Sequence, residues 1–101
     1  MYRGTTPQIK LTLDTNLNLE EIANMWVTFK GMAIEITKTQ ADCIILNEDK
    51  EIRVNLTQDD TLKLQQGKVR VQVRFRMNSG KAYATSIGEL QLNGILKEGV
   101  V

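Results

Sequence analysis

Residues 68 to 77 alternate without a break between polar and apolar side chains, and this alternation constrains the fold more than any other feature of the chain. The segment reads Lys-Val-Arg-Val-Gln-Val-Arg-Phe-Arg-Met. Because successive side chains on a β-strand point to opposite faces of the sheet, the pattern predicts a strand with one buried face and one basic face in water. Such two-faced strands are typical of antiparallel sheets around a single core.

Shorter segments of the same kind bring the predicted total to about seven strands. Residues that favour extended backbone dominate them, and polar or glycine-containing turns separate them. Gly31 and Gly80 are placed in turns, and Gly88 at a kink within the last strand. The pattern is typical of a β-sandwich or a small barrel. The predicted strands are 8–14, 25–30, 32–38, 43–46, 51–56, 68–77 and 82–87, the last of which continues as 89–92 after a kink or bulge at Gly88.

One short helix is predicted near residues 58–64. Thr57 is followed three residues later by Asp60, a spacing that resembles a capping box at the start of a helix. Gly67 is expected to end the helical segment. With so little helix, the chain is predicted to be all-β.

Length and charge narrow the class of protein further. The 101 residues fit a single domain, residues 1–101, with one core. Thirteen basic and twelve acidic residues nearly cancel, which argues against a nucleic-acid-binding protein. The sequence shows neither a signal peptide nor a membrane-spanning apolar run, so we expect synthesis in the cytoplasm and no membrane partner.

The chain contains no histidine, which removes the commonest general base and metal ligand. Cys43, the single cysteine, has no histidine to activate it and is predicted to be a buried structural thiol. The acidic pairs Glu20-Glu21 and Asp59-Asp60 are interpreted as solvated or capping groups. We therefore predict no catalytic residue, no cofactor and no metal site, and no enzyme activity.

The strongest candidate for a binding site is a row of three arginines on the polar side of the 68–77 strand, which are Arg70, Arg74 and Arg76. Guanidinium groups pair with carboxylates and phosphates through two parallel hydrogen bonds, so the row could dock an anionic protein partner. The plainer alternative is a solvated sheet face whose arginines pair with acids such as Glu35 or Glu51 on neighbouring strands. The pattern alone favours the solvated face.

Trp26, the only tryptophan, has two interpretations. In immunoglobulin-like sandwiches a central tryptophan packs in the core, and this is the favoured one. Strand parity supports the other: if Val27 and Phe29 point inward, Trp26 points outward and could anchor an interface. The candidate interface residues are Trp26, Arg70, Arg74 and Arg76.

Both termini are expected to lie outside the sandwich. Residues 1–7 are too polar for a core and are predicted to be a flexible arm, or alternatively a segment that orders against a neighbouring subunit. Residues 94–101 are predicted to form a short tail.

Several motifs, spread over nearly the whole chain, are similar to a known group of proteins. They are Arg3-Gly4-Thr5-Thr6-Pro7, Trp26-Val27-Thr28-Phe29, Leu56-Thr57-Gln58-Asp59-Asp60-Thr61-Leu62-Lys63-Leu64, Gly67-Lys68-Val69, Val71-Gln72-Val73-Arg74, Ser79-Gly80-Lys81-Ala82 and Ile95-Leu96-Lys97-Glu98-Gly99-Val100. In these motifs the chain resembles small prophage-encoded, immunoglobulin-like structural proteins of the phage tail or baseplate type, in particular the N-terminal domain of upper baseplate proteins.

The resemblance implies an immunoglobulin-like antiparallel β-sandwich that assembles rather than catalyses. It further implies protein partners among other tail subunits, homo-oligomers, and a final location in a virion or tail-like particle after synthesis in the bacterial cytoplasm. A carbohydrate- or ligand-binding sandwich module is the alternative. It is disfavoured because such modules need exposed aromatic platforms, and the chain has only five aromatic residues, which are Tyr2, Trp26, Phe29, Phe75 and Tyr83.

Overall fold

A computed structural model describes residues 1–96 and 99–100. In this part of the chain, eight strands form two antiparallel sheets, accompanied by one α-helix and two 3₁₀ turns. The predicted all-β sandwich is therefore confirmed. The predicted tail 94–101 lies partly outside the described residues.

The elements follow the predicted order with small differences in their bounds. The strands are β1 (Gln8–Thr12), β2 (Ile22–Lys30), β3 (Glu35–Thr39), β4 (Cys43–Leu46), β5 (Glu51–Asn55), β6 (Gly67–Met77), β7 (Ala82–Ala84) and β8 (Gly88–Leu92). The helix α1 covers Gln58–Lys63, and the 3₁₀ turns cover Leu19–Glu21 and Gln40–Asp42.

The strand order is that of an immunoglobulin-like sandwich. One sheet runs β1-β5-β4, and the other runs β3-β2-β6, with β7 and β8 both paired to β6. These orders correspond to the B-E-D and C′-C-F-G arrangements of immunoglobulin domains. Among the described residues no strand takes the place of A beside β1, so the outer edge of β1 is unpaired.

The long strand β6 supports both the core and the candidate site. The apolar residues of its alternation all point inward, and each is at most 6% exposed; they are Val69, Val71, Val73, Phe75 and Met77. Removing one such side chain from water stabilises the fold by roughly 1.5–3 kcal/mol. The intervening basic side chains are exposed, as predicted.

Two strands are shorter than predicted because local hydrogen bonds end them. The Gly31 N–H donates to the Ile34 carbonyl at 2.9 Å, and this turn delays the start of β3 to Glu35. Ile34, which belongs to the predicted strand 32–38, lies in this turn instead and is 38% exposed. After Ala84, the Thr85 hydroxyl accepts from the Val73 N–H at 3.1 Å, so a side chain replaces the backbone partner and β7 ends.

The N-terminal arm lies against the domain, contrary to the prediction of a loose segment. The Arg3 guanidinium donates to the carbonyls of Leu62 and Leu64, at 2.9 and 3.1 Å, and thereby binds the end of α1. The backbone N–H of Arg3 donates to the Asn93 carbonyl at 3.0 Å. A seven-residue polar segment is thus held by backbone carbonyls that are distant in sequence.

The predicted capping box of α1 is present. The Asp60 carboxylate accepts from the Thr57 N–H at 2.9 Å, and the Thr57 hydroxyl accepts from the Asp60 N–H at 3.1 Å. The other partner of Asp60 was not predicted: the Lys38 ammonium lies 2.6 Å from the same carboxylate. Lys38 pairs with the buried Val27 across β2 and β3, so its side chain starts on the inner side of the sheet.

Candidate docking face

The outer surface of the five-stranded sheet collects the four candidate interface residues on one side. We define the arginine face as Trp26, Lys30, Lys68, Arg70, Arg74 and Arg76, all of which are exposed. They come from the central strands β2 and β6, which pair antiparallel. The alternation of these two strands is therefore what brings the residues together.

Trp26 lies at the centre of the most open row of this face. Trp26 pairs with Thr39 of β3 on one side and with Arg74 of β6 on the other. Arg74 in turn pairs with Ala84 of β7. The Trp26 side chain is 42% exposed, so the favoured core interpretation was wrong. The reason is parity: turning Trp26 inward would also bury Thr28 and Lys30 and expose Phe29.

Arg76 lies one row further along β6, opposite Ala82. With the Asn24 amide oriented to satisfy its neighbours, its oxygen accepts from the Arg76 guanidinium at 2.6 Å. The alanines beside Arg74 and Arg76 are too short to cover either guanidinium group. This end of the face is therefore flat and accessible, with two arginines and no acidic side chain opposite them in the strand register.

The other end of the face carries compensating charge. Arg70 pairs with Lys30 on one side and with Glu89 on the other, and Glu35 faces Lys30. Of the two acids proposed as partners for the arginines, Glu35 does lie in the same sheet. Glu51 lies in the opposite sheet, where its carboxylate accepts from the Arg53 guanidinium at 2.8 Å. Lys30 was not among the predicted interface residues, although it shares the parity of Trp26.

The arginine face carries an excess of positive charge. Five basic side chains, those of the defined face, lie with two acids, Glu35 and Glu89. In the part of the chain that the structure describes, no ion pair within 4 Å engages Arg70, Arg74 or Arg76. The strand register therefore gives Arg74 and Arg76 no acidic partner, and these two side chains suit an anionic surface on another protein.

A second candidate is a cleft of about 640 Å³ between the two sheets. It lies beside β1, whose outer edge no described strand pairs with, and Leu11, Phe75 and Tyr83 line its apolar part. Tyr83 stacks on Phe75 with ring centroids 5.4 Å apart. This cleft could not be predicted from the sequence, because its walls come from β1 and from the β6–β8 region, which are distant along the chain.

Cys43 was predicted to be buried, but it is half-buried, because β4 lies at the edge of its sheet. Its surroundings are nevertheless those of a structural thiol. Burial, followed by the negative charge of Asp42, raises the pKa of Cys43 to about 11, although Lys38 opposes the shift. The sulfur also lies 3.3 Å from the Thr39 carbonyl, to which it donates. Since the thiolate is the reactive form, the thiol is poorly suited to nucleophilic chemistry at neutral pH.

We therefore expect Cys43 to react slowly with thiol reagents. A pKa about two units above the ordinary value leaves about 100-fold less thiolate near pH 8. A thiolate of higher pKa is intrinsically more nucleophilic, which restores part of the rate. Labelling of Cys43 should therefore be about tenfold slower than labelling of free cysteine. The measurement is the rate of reaction with a chromogenic disulfide across pH 7 to 10. A rate equal to that of the unfolded chain would contradict this.

Two further properties of the described residues bear on the site. They contain no group of three or more histidine, cysteine, aspartate or glutamate side chains placed to hold a metal ion. Within the same residues no helix has the length and apolar character needed to cross a bilayer.

Comparisons with known proteins inform the fold alone. Neither the known family models nor the curated proteins match the chain. Among solved structures, the chain is similar to a putative glycoside hydrolase from Bacteroides vulgatus, with a TM-score of 0.53 and 11% sequence identity. The match covers 95% of this chain but only 16% of that one, so the similarity concerns one domain-sized part of a much larger protein.

Proposed function

We propose that this protein is a non-catalytic assembly module that docks onto another protein surface through its arginine face. The observation that carries the proposal is the exposed Trp26 beside the uncompensated pair Arg74 and Arg76. Tryptophan and arginine are the residue types that most often dominate binding energy at protein interfaces. A rigid antiparallel sheet presents them in fixed positions, which lowers the entropic cost of binding.

The setting we propose is a phage or prophage tail particle of the baseplate type. The support is the resemblance of the motifs from Arg3 to Val100, together with the immunoglobulin-like sandwich. In that setting the partners are other tail subunits and further copies of this chain, and the protein ends in a virion or tail-like particle. The genes beside the coding sequence test this: tail or lysis genes would support it, and metabolic genes would contradict it.

Self-association gives a direct test of docking through this face. We expect the protein to form oligomers at high concentration and low salt, and the double variant Arg74→Glu, Arg76→Glu to remain monomeric, because like charges then replace the attraction. Sedimentation velocity at several concentrations measures this. Higher salt should weaken the wild-type association, since exposed charges are screened beyond about 8 Å at physiological ionic strength.

The matched control changes the net charge equally but elsewhere. Lys10 and Lys63 are exposed and lie on β1 and α1, away from the arginine face. The variant Lys10→Glu, Lys63→Glu should associate like the wild type. A wild-type protein that stays monomeric at high concentration and low salt would contradict the proposal.

A carbohydrate- or ligand-binding module is a second candidate, favoured by one specific observation. Tyr83 is 36% exposed at the wall of the cleft, where polar groups of Gln72 and Thr85 are also present. An aromatic ring beside hydrogen-bonding groups is a common arrangement for ligand binding. A glycan array with no hits would exclude it.

A further inference from the structure

A group of acidic side chains lies at the end of the sandwich where β2 begins. We define the acidic end as Glu20, Glu21, Glu48 and Asp49, all exposed. The first two belong to a 3₁₀ turn and the others to the turn between β4 and β5. The two turns are joined because the Leu19 N–H donates to the Asn47 side chain at 2.8 Å.

The cations beside the acidic end leave it negative. The Lys50 ammonium donates hydrogen bonds to the Leu17 carbonyl and to the Asn47 side-chain oxygen, at 2.8 and 3.0 Å. Lys81 lies in the neighbouring turn, which is held to this end by a hydrogen bond from the Asn78 N–H to the Glu21 carbonyl. Arg76 also lies nearby, because it pairs with Asn24 close to the start of β2. Four acids therefore lie with three bases here, whereas the arginine face has five bases, Arg76 included, and two acids.

The distribution of charge restricts how two copies can meet. Two arginine faces in contact would place like charges opposite one another, which is unfavourable by several kcal/mol. A contact between the arginine face of one copy and the acidic end of another is complementary instead. Within one copy the described residues show no ion pair between these two surfaces, so both remain available.

We propose that the partner of the arginine face is the acidic end of a second copy of this chain. The inference rests on the proposed function and specifies its partner. The turn carrying Glu48 and Asp49 lies against the flat end of the face, where its carboxylates meet Arg74 and Arg76 beside Trp26. If each copy offers its arginine face to the acidic end of the other, the contact closes as a two-fold dimer. If the contact is not returned, repeating it produces a ring or a filament.

A charge-swap experiment tests the pairing. One variant reverses the face, Arg74→Glu with Arg76→Glu, and a second reverses the end, Glu48→Lys with Asp49→Lys. Each variant alone should bind itself about 100-fold more weakly than the wild type, because each brings like charges together. Mixed together, the two should associate again, since each then offers a surface complementary to the other. Sedimentation velocity gives both results, and circular dichroism checks that each variant folds.

The possible outcomes separate this inference from the proposed function. Recovery of association in the mixture supports the pairing, because misfolded variants could not recover. If the acidic-end variant associates like the wild type, or the mixture of two folded variants stays monomeric, the pairing is wrong while docking through the arginine face stands. If the wild type itself is monomeric under all conditions, the proposed function fails together with the inference.

Discussion

Replacing Val73 by aspartate should unfold the domain, whereas the same replacement at the adjacent Arg74 should leave it folded. Val73 is 2% exposed and lies in the middle of β6, so the new carboxylate would be buried without a partner. Burial of an unpaired charge costs several kcal/mol, comparable with the whole stability of about 5–15 kcal/mol for a small domain. Urea denaturation followed by circular dichroism measures the effect.

Arg74 is the matched control for this prediction, because it belongs to the same strand and differs only in the direction of its side chain. Aspartate there should reduce stability by at most about 1 kcal/mol, mainly through its poor preference for extended backbone. Equal loss of stability in the two variants would contradict the assignment of one buried and one exposed face to β6.

Replacing Asp60 by alanine should reduce the free energy of unfolding by about 2–4 kcal/mol. The variant loses the capping bond to the Thr57 N–H and leaves the Lys38 ammonium without its partner at the edge of the core. Thermal and urea denaturation measure the loss. Asp59→Ala is the control: Asp59 is the neighbouring, exposed acid on the same helix, and its removal should cost well under half as much.

A double-mutant cycle separates the two roles of Asp60. If the ion pair matters, Lys38→Met should recover part of the stability lost in Asp60→Ala, because no unpaired ammonium then remains. Strictly additive losses would show that the helix cap alone accounts for the effect.

The contribution of Asp60 should also depend on pH. Burial acts to raise the pKa of Asp60, but the hydrogen bonds from Lys38 and Thr57 outweigh it and hold the pKa below the ordinary value of 3.8. A carboxyl whose pKa is lowered by folding stabilises the fold fully above its unfolded pKa, and this contribution is lost as the pH falls through the folded pKa. The difference in stability between wild type and Asp60→Ala should therefore shrink below about pH 4.

Features specified by neighbouring residues were predictable. The alternation in β6, the capping box at Thr57 and Asp60, and the turn at Gly80, whose φ is +92°, each depend on residues within a few positions of one another. The orientation of Trp26 was harder to predict. Strand parity indicated the outer face, whereas the usual core position of tryptophan in immunoglobulin-like sandwiches indicated the inner face. The contacts of Arg3 could not be predicted, since its acceptors Leu62 and Leu64 are about sixty residues away in sequence.

Two-faced antiparallel strands were predictable from the amino-acid order alone, because the period of a strand is a local property that the spacing of valines and arginines shows directly. The identity of the strands beside β6 depended on how the chain packs in three dimensions. That choice placed alanines next to Arg74 and Arg76, Glu89 next to Arg70, and Lys38 against Asp60. Strand order and register arise from packing between distant segments, and they, rather than the composition of any one strand, set which charges are neutralised and which remain free for a partner.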